Sequence, residues 1–178
     1  FCQECLNMTH KVLLIYTWFV RTILFFLPDI PVIMRFRGWL YSLGMKHCGY
    51  DFQVTHDARL ITLQEISVGR NCFIGNNSLV FASINGEISL ADEVQIGPHC
   101  VIISDNHTIK DGSFRYGKTD NGVIRIGFGS WIGANSTVLK GAILPPSSVL
   151  GANSLLNKAY FEENSLYAGS PAHLIKSL

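Results

Sequence analysis

Charge is scarce in this chain, and that scarcity excludes one class of partner. Only 15% of the 178 residues are charged, and the formal net charge is +1. Nucleic-acid binding needs a basic patch or a strongly basic balance that neutralises phosphates. The composition therefore gives no electrostatic basis for a nucleic-acid partner. The length suffices for one domain with a sizeable core.

Cysteines are few and irregularly spaced. There are five, at positions 2, 5, 48, 72 and 100. An odd count without regular spacing argues against a disulfide framework and favours a reducing compartment, so we expect a cytoplasmic protein. Cys2 and Cys5 form an isolated CxxC pair, whereas a zinc site of this kind needs a second pair of ligands. We therefore predict no metal.

The chain also lacks an apolar run of the length that crosses a bilayer. Residues 12–27, VLLIYTWFVRTILFFL, carry Arg21 in their middle and are followed by Pro28. A helix over them would be about 24 Å long, and a membrane span needs about 20 apolar residues. We expect residues 1–60 to form an apolar helical segment that does not cross the membrane. Met8 is a candidate natural start, which leaves open whether residues 1–7 are native.

Two interpretations of residues 12–46 remain open. The stretch VIMRFRGWLYSLGMK mixes aromatic and basic residues, as helices at a membrane interface do. In one interpretation residues 12–46 lie on the inner face of the membrane, near lipid-linked glycans. In the other the same helices pack on the rest of the protein, or on a sister subunit, and cover an open sheet edge.

A six-residue repeat dominates the remainder of the chain. Apolar residues recur at a step of six in the last third, at Ile126, Ile132, Val138, Leu144, Leu150 and Leu156. An earlier tract keeps the same step with one break, at Val68, Ile74, Val80, Leu90, Ile96 and Ile102. A period of six fits neither an α-helix nor a flat strand. It fits short parallel strands joined by tight turns around a prism, with one apolar residue per repeat pointing inward.

Two segments of this repeat resemble a known family. IGFGSWIGANSTVLKGAILPPSSVLGANS and VGRNCFIGNNSLV resemble the hexapeptide-repeat acyltransferases of the sugar O-acetyltransferase type, and the turn from Ala168 to Ala172 resembles the family's G-x-P-A turn. The resemblance implies a mainly β fold, with a left-handed parallel β-helix over residues 61–162 and a short C-terminal helix over 163–178. It also implies a homotrimer with active sites between neighbouring prisms.

The repeat stops after Ile103 and resumes at Ile126, which predicts an inserted loop over residues 104–124. A long loop inside a compact repeat is usually functional. The resemblance places the family's catalytic base at His107, near the start of this loop. A neutral imidazole can take the proton of a sugar hydroxyl while the oxygen attacks the thioester of acetyl-CoA.

The resemblance assigns further residues around this base. Asn85, at the other break in the repeat, matches an Asn that contacts the acceptor hydroxyl or assists the base, although an Asn-Gly turn also explains it. Arg115 and Tyr116 in the loop are candidate acceptor contacts. Trp131 matches an aromatic residue that packs near the thioester and acceptor.

The donor side is predicted from the same resemblance, with acetyl-CoA as the co-substrate. Ala134 matches a position whose backbone meets the thioester or the CoA arm, and Ala152 lies where the pantetheine arm passes. Asn157 and Lys158 fall near the adenosine end. Lys158 and Lys176 are candidate contacts to the CoA phosphates.

The resulting prediction is an acetyl-CoA-dependent O-acetyltransferase acting on a sugar hydroxyl. The acceptor would be a precursor of a surface polysaccharide or a lipid-linked glycan. N-acetylation of an amino sugar nucleotide and O-acetylation of serine remain alternatives, since both acceptors also need a base.

Overall fold

The structure is a computed structural model that describes residues 3–178, with side chains from Met8 onward. It begins with two helices, α1 (Gln3–Leu24) and α2 (Pro31–Ser42). Pro31 occupies the first turn of α2, where its missing N–H costs no helical hydrogen bond. No helix among these residues has the length and apolar character needed to span a membrane.

Nineteen strands follow the helices. They are β1 (His47–Cys48), β2 (Gln53–Val54), β3 (Arg59–Ile61), β4 (Ile66–Val68), β5 (Phe73–Ile74), β6 (Leu79–Phe81), β7 (Glu87–Leu90), β8 (Gln95–Ile96), β9 (Val101–Ile103), β10 (Asp105–His107), β11 (Thr119–Asn121), β12 (Val123–Ile126), β13 (Trp131–Ile132), β14 (Thr137–Leu139), β15 (Ile143–Leu144), β16 (Val149–Leu150), β17 (Leu155–Leu156), β18 (Ser165–Gly169) and β19 (Ala172–Ser177). A short 3₁₀ turn covers Leu63–Glu65.

Five coils of three strands form a left-handed parallel β-helix. Sheet A contains β1-β4-β7-β12-β15, sheet B contains β2-β5-β8-β13-β16 and continues into β18 and β19, and sheet C contains β3-β6-β9-β14-β17. Corresponding residues stack in register, as Ile74, Ile96, Ile132 and Leu150 do in sheet B. All four are fully buried, so the six-residue step in the sequence is the row spacing of the core.

Tight corners join the sheets, and their chemistry explains the small and polar residues between the apolar positions. Asn135 and Asn153 adopt left-handed backbone angles at successive corners, and the Asn135 amide donates to Asn153 Oδ1 at 2.6 Å. Ser136 Oγ donates to the Gly151 carbonyl at 2.9 Å in the next coil. A Cβ on Gly127 would lie 2.4 Å from the Pro146 nitrogen, so this close approach between coils requires glycine.

The prism begins earlier than the sequence indicated. Its first coil, β1 to β3, lies within residues predicted to belong to the helical segment. The inward residues Cys48, Val54 and Leu60 keep the six-residue step, which Ile66 continues. The boundary at residue 61 was therefore wrong, because this coil has the spacing but few of the corner glycines that marked the later coils.

The C-terminal helix predicted over residues 163–178 is also wrong. These residues form the antiparallel hairpin of β18 and β19. β18 pairs in parallel with β16, and the buried Tyr167 follows Leu150 in the core row of sheet B. An open sheet edge at the last coil needs hydrogen-bond partners, and a strand supplies them where a helix cannot.

The two helices cover the opposite end of the prism, where α1 packs against β3 and α2 against β2. Arg37 is fully buried and joins them to the first coil. Its guanidinium donates to the Val54 carbonyl at 2.6 Å, to Asp29 at 3.0 Å and to the Leu27 carbonyl at 3.2 Å. The Asp29 carboxylate also accepts a 2.7 Å hydrogen bond from the ring of His56.

Candidate active site

The insertion between β9 and β12 is an antiparallel hairpin, β10 and β11, that projects from the corner between sheets C and A. Asp105 lies opposite Asn121, and His107 lies opposite Thr119. Alternate residues of a strand share a face, and directly opposed residues of an antiparallel pair share it too. Asp105, His107, Thr119 and Asn121 therefore occupy one face of the hairpin.

That face borders a cleft of about 400 Å³. The hairpin contributes Asp105, Thr119 and Asn121 to its lining. The remaining lining residues come from α1, from the end of β3 and from the corner after β6, and they are His10, Thr62, Phe81, Ser83, Ile84 and Asn85. His107 follows Asp105 by two residues on the same face of the hairpin, and its exposed side chain does not itself line the cleft.

Hydrogen bonds fix the base of the hairpin. The Ser83 hydroxyl donates to Asn121 Oδ1 at 2.6 Å, and the Ser83 N–H donates to Ser104 Oγ at 2.9 Å. A Cβ on Gly86 would lie 2.6 Å from Ser104 Oγ, so glycine permits the corner to approach the hairpin. The corner after β6 and the hairpin thus form one rigid unit.

Asn85 and His107, the two residues predicted to be catalytic, belong to this unit. Asn85 lines the cleft from the corner after β6, with a left-handed backbone (φ 71°). His107 donates its backbone N–H to Asn106 Oδ1 at 2.9 Å. Within the described part of the chain no hydrogen bond joins the Asp105 carboxylate to the His107 ring, so the geometry gives no support to Asp105 as its orienting partner.

His10 was missed by the sequence analysis. α1 brings its ring into the cleft, where Nδ1 lies 3.1 Å from the side-chain nitrogen of Gln64. Burial lowers the pKa of His10. No local pattern marked this residue, because its position depends on how α1 packs across the first coil.

Arg115 and Tyr116, the predicted acceptor contacts, lie in the loop between β10 and β11. Both side chains are exposed, and neither lines the cleft. The loop is ordered by its own hydrogen bonds, with Thr108 N–H donating to the Lys118 carbonyl at 3.0 Å and Arg115 N–H to Ser113 Oγ at 3.2 Å. The structure therefore keeps these two side chains apart from Asn85 within one chain.

The predicted donor residues lie at a different corner of the prism. Ala134 and Ala152 occupy successive corners between sheets B and C. Trp131 precedes them on the outer face of sheet B, paired with Gln95 and Val149, and 47% of its surface is exposed. Sheet C separates this donor row from the hairpin, so one chain does not bring the two groups together.

The three remaining donor candidates lie at the far end of the prism. Asn157 and Lys158 follow β17 and are exposed, and the Lys158 ammonium lies 5.1 Å from the centre of the Tyr160 ring. Lys176 is exposed on β19 opposite Leu166. Lys158 lies at the corner that follows sheet C, which is also the corner from which the hairpin projects. It is two coils further along the axis than the hairpin.

In the described part of the chain we find no activated thiol and no set of side chains that could hold a metal ion. Cys48, Cys72 and Cys100 are free, and burial raises the pKa of Cys48 and Cys72 to about 11. Such thiols are almost wholly protonated at neutral pH and make poor nucleophiles. Residues 8–178 contain no cluster of three or more His, Cys, Asp or Glu side chains that could hold a metal ion.

Stacked parallel sheets, left-handed corners and an interrupting hairpin define a β-helix built from six-residue repeats. Residues 65–102 and 123–158 match the family profile described as the hexapeptide repeat of succinyl-transferase. The resemblance to the hexapeptide-repeat family that was drawn from the sequence segments is therefore confirmed.

Individual relatives support this assignment. WbbJ of Escherichia coli (strain K12), assigned as an O-acetyl transferase of lipopolysaccharide biosynthesis, is 27% identical over 136 residues, covering 76% of this chain and 62% of WbbJ. The galactoside O-acetyltransferase of the same organism is 26% identical, covering 64% of this chain and 54% of that protein. The chain thus spans roughly three fifths or less of either relative.

A solved structure shows the same fold. The hexapeptide-repeat acetyltransferase VCA0836 of Vibrio cholerae, in complex with acetyl coenzyme A, superimposes with a TM-score of 0.80. It is 20% identical, and the alignment covers 99% of this chain and 91% of that one.

Proposed function

We propose that this protein is an acetyl-CoA-dependent O-acetyltransferase that acts on a sugar hydroxyl, with His107 as the general base. The observation that carries the proposal is that His107 shares one face of the hairpin with Asp105, Thr119 and Asn121, which line a polar cleft together with Asn85. The donor class is supported by relatives named as O-acetyltransferases and by a structural neighbour that binds acetyl-CoA.

The chemistry requires a single imidazole and no acyl-enzyme. Neutral His107 takes the proton of the acceptor hydroxyl as the oxygen attacks the thioester carbonyl of acetyl-CoA. The tetrahedral intermediate then collapses, the carbon–sulfur bond breaks, and the imidazolium returns its proton to the CoA thiolate. Asn85 is one of the polar side chains that line the cleft, and we assign it to the acceptor hydroxyl or to the oxyanion.

A homotrimer belongs to the same proposal, and the outer faces of the sheets support it. Sheet C turns apolar side chains outward along the second to fifth coils, namely Leu79, Val101, Ile103, Leu139 and Leu155. Sheet A turns mostly polar ones outward, namely Ser67, Glu87, Ser89 and Arg125. An apolar outer face is a surface that a neighbouring subunit covers, and sheet C has the more apolar outer face of these two.

Threefold packing through sheet C would also complete the site. A cyclic interface sets one edge of each sheet C against the opposite edge of the next. The corner that carries His107 would then meet the neighbour's Ala134 and Ala152, with Trp131 beside them. In this arrangement the backbone at Ala134 and Ala152 receives the thioester and pantetheine arm. Lys158 and Lys176, with Asn157, would then meet the nucleotide end of CoA.

The acceptor we propose is a precursor of a surface polysaccharide or a lipid-linked glycan at the inner face of the membrane. The name of WbbJ, a relative assigned to lipopolysaccharide biosynthesis, supports a glycan acceptor. Arg115 and Tyr116 would contact the parts of a long glycan that extend beyond the cleft. Contact of residues 12–46 with the membrane surface is consistent with a lipid-linked substrate.

Thiol release from acetyl-CoA, measured against sugars, sugar nucleotides, lipid-linked oligosaccharides and serine, tests this function. We expect release with a hydroxyl acceptor and a product whose acetyl group hydroxylamine removes, as it removes esters. A hydroxylamine-stable acetyl group on an amino sugar would move the reaction to nitrogen. Release with serine alone would replace the glycan by an amino acid, and no release with any acceptor would reject the proposal.

The mass of the protein in solution tests the trimer separately. We expect Leu79→Glu and Val101→Glu to dissociate the trimer, because each places a charge in the centre of the proposed interface. Ser89→Glu, on the outer face of sheet A, is the matched control and should leave the trimer intact. A wild-type monomer, or a trimer that survives both sheet C variants, would contradict the interface.

A further inference from the structure

α1 carries two apolar stripes rather than one. The first faces the prism and includes the buried residues Val20 and Leu24. The second faces away from it. Its side chains are between 51% and 88% exposed and recur three or four residues apart, at Met8, Val12, Ile15, Phe19 and Ile23 of α1 and at Phe26 in the turn that follows, and we name these six the exposed stripe. Packing on the prism therefore accounts for only part of the apolar surface of α1.

α2 extends this surface. Its outward residues Val32, Phe36 and Trp39 are 71%, 48% and 56% exposed, and the rings of Phe36 and Trp39 stack at 5.8 Å. Residues 8–43 make up a fifth of the chain and contain 15 of the 25 exposed large apolar side chains found among residues 8–178. Isolated exposed apolar residues need no explanation, but a concentration of this kind marks a contact surface.

Among residues 8–178, the cations of α1 and of the groove between α1 and the prism lack acidic partners. A groove of about 150 Å³ between α1 and β3 is lined by Trp18, Arg21 and Arg59. Neither guanidinium pairs with a carboxylate in the described part of the chain. Asp29 is the only acidic residue in 8–43, and its carboxylate is bound to Arg37 and His56. Lys11 adds a further exposed cation.

We infer that this surface docks on an anionic phospholipid bilayer, with the exposed stripe and Trp39 at the level of the headgroups and Lys11, at the edge of the stripe, near the lipid phosphates. Exposed Trp and Phe beside basic residues suit the boundary between headgroups and acyl chains. A second copy of this chain fits less well, because it would oppose cations to cations with no acidic residue between them. An anionic membrane supplies the missing charge.

The position of the helices on the prism adds to this argument. Both pack on the first coil, so the surface lies at one end of the β-helix. In the proposed trimer three such ends point the same way. One flat membrane could then engage all three surfaces, and binding at one would raise the effective concentration of the others.

Flotation of the full chain with vesicles tests the inference without any transferase assay. One set of vesicles contains phosphatidylcholine alone, and the other contains equal parts of phosphatidylcholine and phosphatidylglycerol. We expect binding to the mixed vesicles, a blue shift of tryptophan fluorescence from Trp18 and Trp39, and binding at least tenfold weaker to phosphatidylcholine alone. High salt should weaken the binding to mixed vesicles.

Two pairs of variants separate insertion from charge. Phe19→Ser with Phe26→Ser should weaken binding at least tenfold, whereas Phe161→Ser, an equally exposed Phe on the prism, should not. Lys11→Gln should reduce the preference for anionic vesicles, whereas Lys110→Gln, at an exposed position in the hairpin loop, should retain it. Circular dichroism and melting temperature establish that each variant is folded.

Three results would overturn the inference. The first is a wild-type chain that floats with neither kind of vesicle. The second is binding that the stripe variants and Lys11→Gln leave unchanged relative to their controls. The third is self-association beyond the trimer that the stripe variants abolish, without vesicle binding, which would assign the surface to a second copy. Loss of transferase activity alone bears on none of these results, so the proposed function and the docking surface fail separately.

Discussion

The prism and the segments that interrupt it are held together in different ways. In the prism each inward side chain stacks on its counterpart one coil away, as Ile96 stacks on Ile132, and the same contact recurs from coil to coil. The helices and the hairpin share no period and depend on single polar contacts such as Arg37 with Asp29 and Ser83 with Asn121. Because the inward side chains of the repeat stack on one another, the candidate catalytic residues lie where the repeat is interrupted.

The largest expected effect on stability comes from one core row of the prism. Ile132→Ala should lower the free energy of unfolding by about 4 kcal/mol, because it removes a fully buried side chain between two others and leaves a cavity. Val149→Ala, on the outer face of the same sheet, should cost about 1 kcal/mol or less. Urea denaturation of both variants checks the contrast, and equal losses would contradict the stacking account.

The contrast also indicates how much was predictable from the sequence. The core rows from Val68 onward and the insertion near His107 followed from spacing alone, because stacking forces the same residue type at each repeat. The first coil was missed because only Cys48, among Cys48, Val54 and Leu60, is followed by a glycine. The C-terminal hairpin was predicted as a helix, since the need of β16 for a further partner is visible only in the folded sheet.

The cleft was less predictable than the core. Asn85 and His107 were found because each follows a break in the repeat. His10 and the contact between Ser83 and Asn121 depend on how α1 and the hairpin pack, which no local pattern encodes. The division of donor and acceptor groups between two corners of the prism likewise required the coil geometry.

A smaller effect on stability is expected where the helices join the prism. Burial alone would raise the pKa of Asp29, but hydrogen bonds from His56 and Asn76 outweigh it and lower the pKa. A lowered pKa in the folded state means that ionised Asp29 stabilises the fold above the ordinary Asp range. That contribution is lost as pH falls below about 4. Asp29→Asn should cost about 2 kcal/mol at neutral pH.

The pH dependence gives the sharper check on Asp29. Urea denaturation at neutral pH and at about pH 3 should show a loss of stability on acidification that is smaller in Asp29→Asn than in the wild type. Asp111→Asn, at an exposed loop position, is the control and should keep the wild-type profile. If acidification lowered the stability of the wild type and of Asp29→Asn equally, Asp29 would not be a source of the acid dependence.

The smallest expected effect concerns the acceptor side of the cleft. His10→Ala should raise the KM for the acceptor by about tenfold or less, which is the range of one neutral hydrogen bond. The KM for acetyl-CoA and the kcat should stay near wild type, because His10 lies away from the donor row. His10→Gln should restore part of the affinity. Steady-state kinetics with His47→Ala as control measures this split, and a fall in kcat alone would give His10 a different role.

The central claim is that the hairpin interrupting the repeat holds the general base. The most direct measurement is the rate of acetyl transfer to the best acceptor by wild type, His107→Ala and the control His47→Ala, under saturating acetyl-CoA. The account predicts a fall of about a thousandfold in His107→Ala, the usual scale for loss of a positioned base. Acetyl-CoA binding and the His47→Ala rate should stay unchanged. Transfer by His107→Ala at the wild-type rate would contradict the assignment.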